Sequence, residues 1–97
     1  MPVVVSSALE TSLGLAAGVA LAAALPTLDH ACGLATRALL TGDVAAPELA
    51  PVNGVLPVVR PAVVPALLDA HAASPERVAW WERRLAEVAA IRKTQRP

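Results

Sequence analysis

The sequence predicts an α/β fold in which strand, helix and strand follow one another, ahead of a Pro-rich segment with a hairpin and C-terminal helices. Three observations support this class. Val3–Val5 form a β-branched run, as in a strand buried on both faces of a parallel sheet. An uncharged, Ala-rich run follows at Thr11–Leu25 and stops at Pro26. Ser74-Pro75-Glu76 then forms a favourable helix start before an amphipathic stretch.

Composition excludes several classes of protein. The chain has 97 residues, of which 56% are hydrophobic and only 16% charged, which excludes a disordered chain. A formal net charge of zero and only two aromatic residues argue against a nucleic-acid partner. One Cys excludes a disulfide framework. The excess of apolar residues in so small a chain predicts either that it sits in a membrane or that it packs against something outside itself.

The first unit of the fold is predicted to span residues 1–42. We expect a strand at Pro2–Ala8, with proline tolerated because it opens the strand. The helix over Thr11–Leu25 groups small residues on a face suited to close packing: Gly14, Gly18 and Ala22. A second short strand is expected at Leu28–Leu34, and a helical turn at Thr36–Leu40.

Two further units follow this one. Residues 43–64 form a Pro-rich connection that is otherwise irregular, and within it the Asn53-Gly54 pair predicts a hairpin over residues 51–56. Residues 65–97 form a helical segment, with a short helix over Pro65–Ala73 and a longer one from Ser74 to about Lys93. Val78, Trp81, Leu85, Val88 and Ile91 recur at helical spacing and predict its buried stripe.

The apolar run is expected to belong to a protein outside the membrane. Leu13–Leu25 is shorter than the roughly 20 residues that span a bilayer. A signal peptide would carry Lys or Arg before the run, whereas the first basic residue is Arg37. The sequence therefore favours a cytoplasmic protein without a membrane partner.

Candidate site residues lie where the first strand ends and the first helix begins. Ligands bind at the carboxyl ends of strands in α/β folds, and a helix N-terminus there attracts anions. Ser6, Ser7 and Glu10 lie at this junction and predict a site for an anionic group, either a carboxylate or a phosphate. The alternative is that Ser7 and Glu10 form a capping box, which would explain both residues without a ligand.

Other polar residues are predicted to be structural. His30 and Cys32 could share one face of a strand, but two residues do not make a metal site, and no catalytic pair or triad is present. Asp43 and Glu48 are interpreted as ordinary turn residues, and Trp80-Trp81 as a packing anchor.

The order of these motifs resembles one enzyme family. Val4–Gly14, with its serines, Glu10 and final glycine, resembles the corresponding segment of the o-succinylbenzoate synthases of the enolase superfamily. The resemblance to the actinobacterial branch continues through Asp29–Leu34, Leu39–Val44 and Pro51–Val58, and covers about residues 3–92. Thr11 stands where many members have serine, which keeps a hydroxyl.

This resemblance implies that the chain is the C-terminal fragment of a modified (β/α) barrel with a capping domain. Such enzymes dehydrate 2-succinyl-6-hydroxy-2,4-cyclohexadiene-1-carboxylate to o-succinylbenzoate in menaquinone biosynthesis, using a lysine base and Mg²⁺. Their catalytic lysines and metal ligands belong to earlier strands, and the sole lysine here, Lys93, matches none of them. What carries over is substrate binding by Ser6 and Ser7, with Glu10 orienting the turn. The resemblance thus implies an incomplete catalyst whose partner is an N-terminal barrel fragment.

Two alternatives remain open at this stage. The chain could be a fragment of another superfamily member, an N-succinylamino acid racemase or a dipeptide epimerase, because these share the geometry at the strand ends. It could also be a small interaction module that uses its apolar helix to bind a partner, as its low charge suggests.

Overall fold

The computed structural model describes residues 1–96. Pro97, the last residue of the predicted segment 65–97, lies outside the described residues. The elements in chain order are helix α1 (Ser12–Ala24), a 3₁₀ helix (Thr36–Leu39), strands β1 (Ala45–Ala46) and β2 (Ala62–Val63), and helices α2 (Pro65–Ala70) and α3 (Pro75–Thr94).

Helix α1 forms close to its predicted bounds, but the predicted small-residue face is only partly the one that packs. The buried face contains Leu15, Val19 and Ala22, whereas Gly14 is exposed. Gly18 allows a close approach, because a Cβ there would lie 3.0 Å from Cδ2 of Leu34. The helix ends at Ala24, and the amide of its C-cap residue Leu25 donates to the Ala22 carbonyl at 3.2 Å, one residue before Pro26.

The two predicted strands are reduced to one parallel bridge between Ser6 and Gly33. The Gly33 amide donates to the Val5 carbonyl at 3.1 Å, and the Ser7 amide donates to the Gly33 carbonyl at 3.0 Å. The predicted extents, Pro2–Ala8 and Leu28–Leu34, are therefore wrong, although the two segments do pair in parallel. Strands grow by pairing along both edges, and residues 1–96 supply only this one pairing to each segment.

The Pro-rich connection contains a small sheet that the sequence analysis missed. β1 and β2 pair antiparallel, with Ala45 opposite Val63 and Ala46 opposite Ala62. Two-residue strands of this kind have no detectable hydrophobic alternation, so periodicity could not find them.

The predicted hairpin at residues 51–56 is confirmed as a tight turn. Val52 and Val55 exchange two backbone hydrogen bonds, of 2.9 and 3.0 Å. Asn53 and Gly54 have φ angles of 51° and 75°, the left-handed pair that this turn requires.

The two C-terminal helices form, but the buried stripe predicted for α3 is wrong. α2 ends at Ala70 rather than Ala73, and α3 begins after Ser74, whose hydroxyl accepts from the Arg77 amide at 3.2 Å. No residue of α3 is buried, and Trp81 is 53% exposed. Instead of anchoring α3 to the core, Trp80 and Trp81 contact each other edge to face, with ring centroids 4.8 Å apart.

One small apolar core lies under α1. Its buried members come from α1, both bridged segments and the Pro-rich connection: Val5, Leu15, Val19, Ala22, Leu34 and Leu49. Between residues 1 and 96, no helix has both the length and the apolar character needed to cross a bilayer.

Candidate functional site

Ser6 is the residue of the first segment that forms the parallel bridge, and Ser7 follows it directly. Val5 belongs to the core, so Ser6 takes the opposite face and is exposed. A Cβ on Gly33 would lie 3.4 Å from the Ser6 hydroxyl oxygen, which places the Ser6 side chain beside Gly33. Ser7 is half-buried at the start of the turn that leads to α1.

The Ser7 hydroxyl is enclosed by groups from the second bridged segment and the 3₁₀ helix. Its oxygen lies 3.2 Å from the Gly33 carbonyl oxygen and 2.9 Å from Oγ1 of Thr36. Thr36 in turn donates to the Ala8 carbonyl at 2.5 Å. The turn after Ser7 is therefore fixed at its first residue by the 3₁₀ helix.

The N-terminus of α1 already carries an anion from the same chain. The Ser12 amide donates to Oδ1 of Asp43 at 3.0 Å, and the Ser12 hydroxyl donates to Oδ2 of the same carboxylate. The Ser12 oxygen also accepts from the Leu49 amide at 2.9 Å. A carboxylate at this position is stabilised by the positive end of the helix dipole.

The capping box predicted for Ser7 and Glu10 is consequently wrong. The helix begins at Ser12, and its N-cap residue Thr11 makes no side-chain cap. Glu10 lies beside the first turn instead, where its Oε2 would be 3.2 Å from a Cβ on Gly14. The cap is missing locally because Asp43, distant in sequence, supplies the anion.

A buried arginine holds Asp43 in place. Arg37 and Asp43 are 9% and 8% exposed. Arg37 Nε lies 3.1 Å from Asp43 Oδ2, which is ion-pair distance, although the Nε–H bond is not directed at an acceptor. Its other two nitrogens make contacts of 3.1 Å, Nη1 with the Leu40 carbonyl and Nη2 with the carboxylate of Glu48.

The environment of Asp43 favours its charged form. Burial alone raises the pKa of this carboxyl. Hydrogen bonds from Ser12 and Val44 and the nearby Arg37 guanidinium together lower the pKa by more than burial raises it, so the net pKa is below the ordinary 3.8. Asp43 is therefore ionised at neutral pH and is a fixed part of the structure rather than an acid catalyst.

Sequence reasoning missed Ser12, Thr36, Arg37 and Asp43, and took Asp43 and Glu48 for turn residues. That interpretation is wrong for Asp43, which is buried, and Glu48 pairs with Arg37 across the same loop. A signal was available, because Arg37 and Asp43 are isolated charges in an apolar stretch and buried charges occur in pairs.

His30 and Cys32 do not form a site within the described part of the chain. His30 is exposed, Cys32 is partly buried, and the Cys32 sulfur lies 4.0 Å from the His30 carbonyl oxygen. Over residues 1–96, no three side chains of His, Cys, Asp or Glu are grouped so that they could hold a metal ion. The site can therefore offer hydrogen bonds to a carboxylate, but these residues provide no metal and no base for proton transfer.

Comparison with known proteins identifies the segment. No protein-family model matches the chain. It is 59% identical over 86 residues to an o-succinylbenzoate synthase of Thermobifida fusca, and 55% and 52% identical over 85 residues to those of Mycobacterium tuberculosis and Mycobacterium ulcerans. These matches cover 88–89% of the chain but only 26% of each relative. The resemblance found in the sequence is thereby confirmed: the chain is homologous to a segment of the o-succinylbenzoate synthases that makes up about a quarter of their length.

Proposed function

We propose that this chain is the C-terminal part of an o-succinylbenzoate synthase and supplies the substrate-binding end of its active site. The enzyme would remove water from 2-succinyl-6-hydroxy-2,4-cyclohexadiene-1-carboxylate, a step of menaquinone biosynthesis. The observation that carries the proposal is the parallel bridge between Ser6 and Gly33, where the first bridged segment presents the hydroxyl groups of Ser6 and Ser7. This bridge occurs in a chain that is 52–59% identical to such enzymes. Strand ends of this kind form the binding face of (β/α) barrels.

The contribution of this chain is binding and orientation of the substrate. A substrate carboxylate is an acceptor, and exposed hydroxyls at the strand end can donate hydrogen bonds to it. Glu10 orients the turn between the strand end and α1. Correct placement of the substrate against a base contributes to the rate because the reacting atoms are held in a productive geometry.

The residues described here do not fit the Mg²⁺ that the family implies. Asp43 and Glu48 are engaged with Arg37, and no group of three potential ligands occurs in residues 1–96. The sole lysine, Lys93, lies at the exposed end of α3. The metal ligands and the base therefore belong to the remaining three quarters of the enzyme, and the chain is inactive by itself.

The proposal extends to partners and location. The partner of the chain is the remainder of the barrel, and no nucleic acid or membrane is involved. A cytoplasmic location is part of the same proposal.

A hybrid enzyme tests this function. The Thermobifida fusca relative is produced with its homologous segment replaced by this chain, and dehydration is measured in the presence of Mg²⁺. We expect the hybrid to turn over the substrate and the 97-residue chain alone to give no rate above background. The control is the Thermobifida fusca protein with the segment deleted, which should also be inactive.

Either of two outcomes would overturn the proposal. A hybrid that melts cooperatively but does not dehydrate the substrate would contradict the assignment. Turnover by the isolated chain close to that of the hybrid would contradict its incompleteness. Testing the hybrid on N-succinylamino acids and dipeptides separates racemase and epimerase fragments from the proposed synthase.

One observation favours a second candidate, an interaction module, although through α3 and not through the apolar helix α1 that the low charge suggested. The apolar side chains of α3 are exposed, Leu85 at 65% and Ile91 at 54%. In an interaction module the hybrid would be inactive and α3 alone would account for binding to a partner.

A further inference from the structure

The hydroxyl groups of Ser7 and Thr36 have only two protons to donate between them. Thr36 gives its proton to the Ala8 carbonyl, which can only accept, at 2.5 Å. The Ser7 oxygen and Oγ1 of Thr36 are 2.9 Å apart, which is hydrogen-bonding distance, and by distance alone either oxygen could be the donor. Because the Thr36 proton is directed at the Ala8 carbonyl, Ser7 is the donor available for that contact.

A second acceptor lies near the Ser7 hydroxyl. The Gly33 carbonyl is 3.2 Å from the Ser7 oxygen and can accept from it while also accepting from the Ser7 amide at 3.0 Å. The contact with Thr36 is the shorter of the two, at 2.9 Å. The acceptor of the Ser7 hydroxyl is thus either Oγ1 of Thr36 or the Gly33 carbonyl oxygen, and both belong to this chain. The Ser7 oxygen is left with acceptor capacity alone, and a carboxylate is also an acceptor.

We propose that Thr36 is a positioning residue that accepts a hydrogen bond from the Ser7 hydroxyl, so that Ser6 alone of the two serines donates a hydrogen bond to the substrate carboxylate. This inference rests on the proposed function and divides the roles within its site. The chain of hydrogen bonds runs from the Ser7 hydroxyl to the Thr36 hydroxyl and on to the Ala8 carbonyl, and it fixes the turn next to Ser6. Ser6 is exposed, and its hydroxyl makes none of the side-chain hydrogen bonds found in residues 1–96.

Steady-state kinetics of the hybrid enzyme test this division of roles. Ser6→Ala should raise KM about tenfold or more, because a hydrogen bond to a charged group is lost. Ser7→Ala and Thr36→Val should each raise KM about threefold. The double variant should be no worse than either single one, because the two hydroxyls act as one unit.

Two matched variants separate the hydrogen bond from side-chain shape. Thr36→Ser keeps the hydroxyl and should restore the KM of the parent hybrid. Thr27→Val makes the same chemical change as Thr36→Val at an exposed position and should leave KM unchanged. Additive effects of Ser7→Ala and Thr36→Val would overturn the proposal, as would a KM effect of Ser7→Ala equal to that of Ser6→Ala with Thr36→Val silent.

A second measurement on the 97-residue chain does not depend on activity. We expect NMR to detect a slowly exchanging hydroxyl proton on Thr36, lost in Thr36→Val and exchanging faster in Ser7→Ala. Fast exchange of the Thr36 hydroxyl in the parent chain would overturn the inference. An inactive hybrid with a protected Thr36 hydroxyl would instead contradict only the proposed function.

Discussion

Asp43 joins two parts of the chain that are distant in sequence. Its carboxylate accepts a hydrogen bond from Ser12 at the start of α1. It also pairs with Arg37, which lies in the 3₁₀ helix directly after Thr36. Thr36 therefore holds the start of the turn between Ser7 and Ser12 by its hydrogen bond to the Ala8 carbonyl, and Asp43 holds the end of this turn through the Ser12 amide. The geometry of the strand-end site therefore depends on a residue that does not face it.

Asp43→Asn should destabilise the folded chain in a pH-dependent way. The folded-state pKa of Asp43 is below 3.8, so its stabilisation is present above that value and is lost as pH falls through the folded pKa. At neutral pH the substitution should cost about 1–3 kcal/mol, because Arg37 loses its buried charged partner and keeps only the half-exposed carboxylate of Glu48. Urea unfolding from pH 2 to 7 measures the difference.

The exposed Asp29 provides a matched control for this prediction. Asp29→Asn makes the same chemical change and should alter the free energy of unfolding by less than about 0.5 kcal/mol. A difference between the parent chain and Asp43→Asn that persists unchanged below the folded pKa would show that the charge of Asp43 is not responsible.

Among the elements, α1 and α3 differ in what stabilises them. α1 is stabilised by packing, since Leu15 is fully buried and Val19 nearly so. α3 buries no residue and depends on its own sequence, namely the Ser74 cap, Pro75 in the first turn, Glu76 near the positive end and Arg92 and Lys93 near the negative end. Helices without tertiary packing are marginal in water.

Ser74→Ala should therefore reduce the helicity of α3 selectively. Loss of the hydrogen bond to the Arg77 amide costs about 1 kcal/mol of helix stability. Far-UV circular dichroism should show less helix, while the urea midpoint of the α1 core stays unchanged. Ser74→Asp, which retains a capping oxygen, is the control and should keep the helicity. Equal loss of helix in both variants would contradict the capping role.

The whole molecule is expanded and exposes much apolar surface. Its radius of gyration is 16.5 Å, against about 12.5 Å for a compact domain of this length. Large apolar side chains are exposed on α1, the hairpin and α3, among them Leu21, Val55 and Leu85 at 58%, 67% and 65%. Surfaces of this kind in a larger protein are normally covered.

The isolated chain should bind the hydrophobic dye ANS strongly, whereas the hybrid enzyme should bind it weakly, because the rest of the barrel covers the exposed side chains. Fluorescence titration of both proteins at equal concentration measures the difference. Leu85→Gln should reduce dye binding by the isolated chain, and the neighbouring Arg83→Gln should not. Equal binding by the isolated chain and the hybrid would refute the idea that the barrel covers this surface.

The sequence by itself determined the local elements and the family. α1, the hairpin at Asn53-Gly54 and the Ser74 cap follow from short-range patterns, because proline stops, left-handed turn residues and capping oxygens act on their immediate neighbours. The segment that carries Ser6 also pairs in parallel with the segment that carries Gly33, as the predicted order of strand, helix and strand implies.

Only the tertiary structure decided how the polar groups are partnered. Hydrogen bonds join Ser7 to Thr36 and Ser12 to Asp43 across about 30 positions of sequence, and no periodicity encodes such distances. The short extent of the parallel pairing and the exposure of α3 were equally hidden, because each depends on which neighbours a segment meets. Local patterns fix what a segment can form, whereas burial and charge pairing are properties of the assembled molecule.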